Sequence, residues 1–253
     1  MDKPAPNNQP DQWKNLKEYT SARIVLGRNG TSIPLKESLA FQMAHAHARD
    51  AVYSHLDIEK LKAEVEALPQ QVICVSSKVE NREQYLKRPD LGKFLNDASA
   101  KKLDEINHSG FDVVIILADG LSSSAVNKHA VPLLKELLPK LQEAHKTVAP
   151  IIIAEQSRVA LADDIGERLH AGLSLILIGE RPGLSSPESL GAYLTYKPNK
   201  GLTDESRNCI SNIRPNGLVY PAAADKIFYI IQEAFSKKIS GVKLKDNMGN
   251  LNA

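Results

Sequence analysis

The residues that can do chemistry lie in loops that follow apolar runs. Asp119-Gly120-Leu121-Ser122, Glu155-Gln156-Ser157-Arg158 and Gly179-Glu180-Arg181-Pro182-Gly183 each come directly after such a run. Parallel strands all end on one edge of a sheet, so three such loops meet in space although they are distant in sequence. Glu180 can accept hydrogen bonds from a hydroxyl or an amide, and Arg158 or Arg181 can pair with a phosphate. Gly120, Gly179 and Gly183 let backbone approach a ligand with no Cβ in the way. The alternative is that Glu180 and Arg181 cap a helix or pair with each other. Further on, Arg207, Asn208 and Asn212 suit a ligand fringed with carboxamides, and serve equally well to bond their own backbone. Cys209 between them has no base beside it, which argues against a nucleophile.

Other chemistries are excluded by pattern. Leu26-Gly27-Arg28-Asn29-Gly30 is not a dinucleotide fingerprint, and neither a phosphate-binding P-loop nor a nucleophile elbow occurs. His45 and His47 are two apart, which on a helix points them about 200° from each other, so they cannot share a metal ion. Cys74 and Cys209 form no metal or disulfide pattern and read as free thiols of a cytoplasmic protein. The formal net charge of +2 gives no pull toward nucleic acid or an anionic membrane. No apolar run approaches the length of a membrane span, and the first ten residues lack a secretory core.

These loops need a sheet to hold them. Apolar runs at 71–76, 111–117, 148–154 and 173–178 read as strands; 189–196 and 209–213 are weaker candidates. Helical spacing appears at 34–55, 58–67, 81–86, 88–106, 131–144, 163–171 and 221–237. The residues at 107–110 read as a stop. Strands alternating with helices argue for a parallel sheet with right-handed crossovers. The expected fold is α/β: a Rossmann-like parallel sheet domain at 109–242, preceded by a mainly helical, partner-docking region at 21–108. Flexible tails are expected at 1–20 and 243–253.

Five strings occur in an order that resembles one family. They are Ala22-Arg23-Ile24-Val25-Leu26-Gly27-Arg28, Tyr85-Leu86-Lys87-Arg88-Pro89-Asp90-Leu91-Gly92, Asp119-Gly120-Leu121-Ser122, Gly179-Glu180-Arg181-Pro182-Gly183-Leu184 and Cys209-Ile210-Ser211-Asn212-Ile213. Together they resemble the small (light) subunit of ethanolamine ammonia-lyase, over residues 22–241. The resemblance implies a subunit of the lyase that converts ethanolamine to acetaldehyde and ammonia by radical rearrangement. It implies adenosylcobalamin, with its cobalt carried by the cofactor, held at the interface with a large catalytic subunit that is a TIM barrel. The family's cofactor-contacting positions fall on Val159, Glu180 and Cys209, with no catalytic residue and no protein-bound metal. The chain has no DxHxxG loop, which fits a cofactor that keeps its own base on cobalt. The expected setting is a hetero-oligomer in the cytoplasm, within a bacterial microcompartment. The competing expectation is a non-catalytic assembly protein of such a compartment, acting through its first twelve residues and the polar helix face that carries His45, Arg49 and Tyr53.

Overall fold

The structure, a computed structural model, describes residues 13–20, 22–106 and 110–248. The expected stop at 107–110 is thus described only at Gly110, and the expected tails at 1–20 and 243–253 lie partly outside the described residues. In chain order the elements are α1 (Leu35–Tyr53), α2 (Ile58–Glu66), β1 (Val72–Ser76), α3 (Arg82–Lys87), α4 (Asp97–Asp104), β2 (Phe111–Ala118), α5 (Ser123–Glu143), β3 (Ile151–Glu155), α6 (Leu161–Arg168), β4 (Ala171–Gly179), β5 (Leu190–Tyr196), β6 (Asn208–Ile213) and α7 (Tyr220–Lys237). Short 3-10 turns lie at Lys14–Glu18, Leu91–Lys93, Asp204–Ser206 and Gly241–Lys243.

The strands form one mixed sheet in the order β1-β3-β2-β4-β5-β6. The first four are parallel; β5 and β6 run antiparallel. The sheet is therefore mostly parallel rather than wholly so. The reason lies in the connections: the loop 180–189 contains no helix to carry the chain back across the sheet, so β5 must return beside β4 in the opposite sense. β1, from the part of the chain before β2, joins this sheet as its edge strand beside β3.

Burial on two faces explains the unbroken apolar runs of β2 and β4. Val113, Ile115 and Leu117 of β2, with Leu173, Leu175 and Leu177 of β4, pack into a core with α2, α5 and α7. Val114, Ile116 and Ala118, with Ile176 and Ile178, face α4 and α6. β5 and β6 differ. Leu190, Ala192, Leu194, Ile210 and Ile213 all enter the α5/α7 core, while from their opposite face only the partly buried Tyr193 touches the other core.

Two helical expectations are revised. The segment 88–106 is not one helix: it breaks at Phe94 and Leu95, which add to the sheet side through Lys78 N–H to the Phe94 carbonyl and Asn96 N–H to the Ser76 carbonyl. α1 forms as its spacing predicts, but its apolar residues do not face the core. Leu35, Leu39 and Met43 are 71%, 54% and 61% exposed, and Ala51 is the one buried residue of the helix.

The loops at the C-terminal edge of the parallel strands are locked by Asp119. Its carboxylate accepts the backbone N–H of Gly120 (2.8 Å), Gln156 (2.8 Å) and Ser157 (2.9 Å), with the Arg82 guanidinium 3.8 Å away. Burial pushes this carboxyl up to about 6, against the pull of those donors. Folding therefore takes up a proton between pH 3.8 and about 6. The carboxyl's contribution to stability is full below 3.8 and falls as pH rises through about 6. Asp119→Ala strands three buried donors and should cost about 3 kcal/mol or more at pH 7. Urea unfolding of wild type and variant across pH 4–7 checks both the size and the sign, the wild type gaining on the variant as pH falls.

Candidate functional site

The half-covered face of β5 and β6 holds the site. Gly179 ends β4, and Glu180 follows it with its N–H bonded to the Ser189 carbonyl (3.0 Å). The Glu180 carboxylate turns back over β5, where it accepts from the Ser189 hydroxyl (2.6 Å) and more weakly from the Asn212 N–H (3.4 Å). It lies across Gly191, where an added Cβ would come 2.9 Å from both its Cγ and its Oε1. Two residues further along the same face stands Tyr193, paired in register with Cys209 on β6. Val159, on the loop between β3 and α6, comes up beside them. Val159, Tyr193 and Cys209 line one cavity of about 360 Å³, with Lys93 and Arg158 on its wall.

Each of these positions is held from behind. Arg158 fixes the Val159 loop: its guanidinium lies 4.0 Å from the centre of the Tyr85 ring and donates to the Tyr85 carbonyl (3.0 Å). The Tyr85 hydroxyl returns a bond to the Ser157 carbonyl (2.9 Å). Gly92 is required here, because a Cβ would come 2.8 Å from the Arg158 side chain. β6 is fixed by Arg207, which makes two bonds to Asp163 (2.7 and 2.8 Å) and one to the Thr195 hydroxyl (3.2 Å) in a buried setting. Asn208 spends its whole side-chain amide on Gly241 and Leu244.

The structure brings Val159, Glu180 and Cys209 to one face, from three separate stretches of chain. It gives other residues different work from that expected of them. Arg158, Arg207 and Asn208 are engaged within the fold, Arg158 through one guanidinium nitrogen and the Tyr85 ring, while Arg158 and Arg207 also line the cavity. Gly120 and Gly179 serve the approach of two loops to each other: Leu121 N–H bonds the Gly179 carbonyl (2.9 Å), and a Cβ on either glycine would overlap the facing backbone. Glu180 and Arg181 form no ion pair with each other among the described residues, and Glu180 caps no helix. His45 and His47 are exposed, and among the described residues no cluster fit to hold a metal ion occurs. Gly191 and Tyr193 were missed by the sequence reading. Their signal was the alternation of Leu190, Ala192 and Leu194 against Gly191, Tyr193 and Thr195, which marks a strand with two unlike faces.

The chemistry of the face is that of a holder. Partial desolvation by its neighbours raises the Cys209 thiol above its usual value, so a neutral sulfur faces the cavity. Glu180 supplies an acceptor, while Val159 and the Tyr193 ring supply apolar surface.

The fold and site thus define a mixed α/β protein with an open cavity on the face of β5 and β6 that α6 covers only in part. Over residues 10–245 the sequence matches the family described as ethanolamine ammonia-lyase light chain (EutC). The chain belongs to that family, whose members are subunits of a lyase. Relatives named ethanolamine ammonia-lyase small subunit include one from Ralstonia nicotianae, 48% identical over 97% of this chain and 92% of its own length. Those from Pseudomonas syringae pv. tomato (48%; 97% and 86%) and Azotobacter vinelandii (49%; 92% and 88%) are similar over comparable spans.

The ion pair behind the site makes its own prediction. Arg207→Ala leaves the buried Asp163 carboxyl without its partner, which should cost about 3–5 kcal/mol. Chemical denaturation of the variant measures the loss, and Arg207→Lys, which cannot make the two-pronged contact, should recover only part of it.

Proposed function

We propose that this chain is the small subunit of an adenosylcobalamin-dependent ethanolamine ammonia-lyase and that it holds the cofactor through Val159, Glu180 and Cys209 where it meets the large subunit. One observation carries this reading: Val159 of the β3–α6 loop and Cys209 of β6 line one cavity, and the Glu180 carboxylate from the end of β4 lies across Gly191 on the same face of β5. When bound, the cofactor supplies the radical chemistry that turns ethanolamine into acetaldehyde and ammonia. The chain's own part is positional. Val159 gives the corrin edge an apolar stop. Glu180, held in place by Ser189, accepts from an amide at the cofactor's fringe. Cys209 presents a small neutral surface and keeps water out. The open side of the cleft is closed by the large subunit, which makes the working enzyme a hetero-oligomer.

Residues 21–108 supply the docking surface in this reading. α1 offers the exposed stripe Leu35, Leu39 and Met43, one residue per helical turn. The preceding segment is tied to the loop after Glu180, through Arg23 to the Leu184 carbonyl (3.3 Å). The base of α1 lines a hollow with Pro187 and Glu188 of that same loop. A partner that closes the cofactor cleft therefore meets α1 on the same rim. The free cysteines suit a reducing cytoplasm, and the family's substrate suits a microcompartment within it. No helix among the described residues is long and apolar enough to cross a membrane.

Two outcomes test the reading. Glu180→Ala, assembled with the large subunit, should retain adenosylcobalamin about tenfold more weakly, the worth of one charge-assisted hydrogen bond, while its thermal midpoint stays near that of wild type. The visible spectrum after desalting measures retention. Unchanged retention in Glu180→Arg would shift the assignment to a non-catalytic assembly role. Leu39→Asp with Met43→Asp should leave unfolding of the isolated subunit unchanged and abolish its co-elution with the large subunit on gel filtration.

A further inference from the structure

Tyr193 stands where the three proposed cofactor contacts meet. It pairs in register with Cys209, lines the same cavity as Val159 and Cys209, and interacts electrostatically with both Glu180 and Cys209. Its neighbours on this face leave its ring prominent. Gly191 has no side chain, Cys209 is small, and Thr195 is buried against Arg207. The ring is only half-buried: one side rests on the core beneath α6 and the other borders the cavity. Tyr193 and Cys209 are cross-strand neighbours in register, so the two side chains lie side by side on this face.

We infer that Tyr193 is a fourth cofactor-contacting residue, its ring forming the apolar floor between Val159 and Cys209 against which the corrin edge rests. This rests on the cofactor-holding role proposed above. An aromatic ring is suited to the task. It gives a large, stiff, flat surface at little cost in side-chain entropy, and the polar tip can remain bonded while the face is covered. A purely internal role would leave the ring's outer side facing solvent in the working enzyme, whereas the cofactor would cover it.

The test uses the assembled complex of both subunits carrying Tyr193→Phe or Tyr193→Leu. Adenosylcobalamin is titrated and followed by absorbance, well below the thermal midpoint of each apo complex. Alkylation of Cys209 by iodoacetamide is measured with and without the cofactor. The Phe variant should bind within about threefold of wild type, because the ring is kept. The Leu variant should bind about tenfold or more weakly, and cofactor should no longer protect its Cys209 at concentrations that protect the wild type. Binding by the Leu variant within twofold of wild type, with protection intact, overturns the inference alone. So does failure of the Leu variant to assemble while the Phe variant binds normally, which would make the ring a core element. A wild-type complex that takes up no cofactor overturns the functional assignment and the role of Tyr193 with it.

Discussion

One buried carboxylate organises this molecule. Asp119 sits at the end of β2 and takes amide hydrogens from its own turn and from the turn after β3, while Arg82 reaches it from α3. The turn at Gln156 adopts a left-handed φ of 52°, an unusual conformation for a residue with a side chain. Its N–H then points into the Asp119 carboxylate. From there the constraint spreads. Ser157 is held by both Asp119 and Tyr85, Arg158 lies on Tyr85, and Val159 follows with nowhere else to go. On the other side, the turn beginning at Gly120 is bonded to the end of β4, and Glu180 is the next residue. A single charge therefore sets the relative position of two of the three site segments.

The third segment depends on how the sheet ends. Four parallel strands need helices on both faces, and α4 and α6 meet that need on one side as far as β4. The return of β5 and β6 without helical connections adds width to the sheet without adding cover. What remains is a platform with a polar rim and an aromatic centre, bounded on one side by the Arg207–Asp163 pair. The face of β5 and β6 and the stripe Leu35, Leu39 and Met43 of α1 are the apolar surfaces on which the proposed function rests.

The sequence made the parallel part of this fold readable because burial on two faces demands uninterrupted apolar runs, and 111–117 and 173–178 are such runs. It made β5 and β6 hard to read because strands covered on one face mix Gly191, Tyr193 and Ser211 with their apolar residues. The rim loops were legible as a cluster, yet the work of their polar residues was not. Arg158, Arg207 and Asn208 have side chains suited to a ligand, and only the positions of Tyr85, Asp163 and Gly241 reveal that they are engaged within the fold. The glycines misled for a similar reason. A missing Cβ permits close approach, but the sequence does not say by what, and at Gly120 and Gly179 the approaching group is another loop. For α1 the spacing correctly forecast a helix, and the exposure of its apolar stripe could be known only once the core was seen to be complete without it.

The sheet's outer margin has a consequence of its own. β6 is short, its pairing with β5 shifts register between Leu190 and Ala192, and near its end Asn212 takes a left-handed φ of 61°. From there the chain doubles back, Leu218 N–H bonding the Asn212 carbonyl at 2.8 Å. A flat, regular border would invite strands from other molecules to stack on it. A bent and interrupted one denies them a template. The exposed margin of the sheet is thereby guarded against indiscriminate pairing with the strands of other molecules.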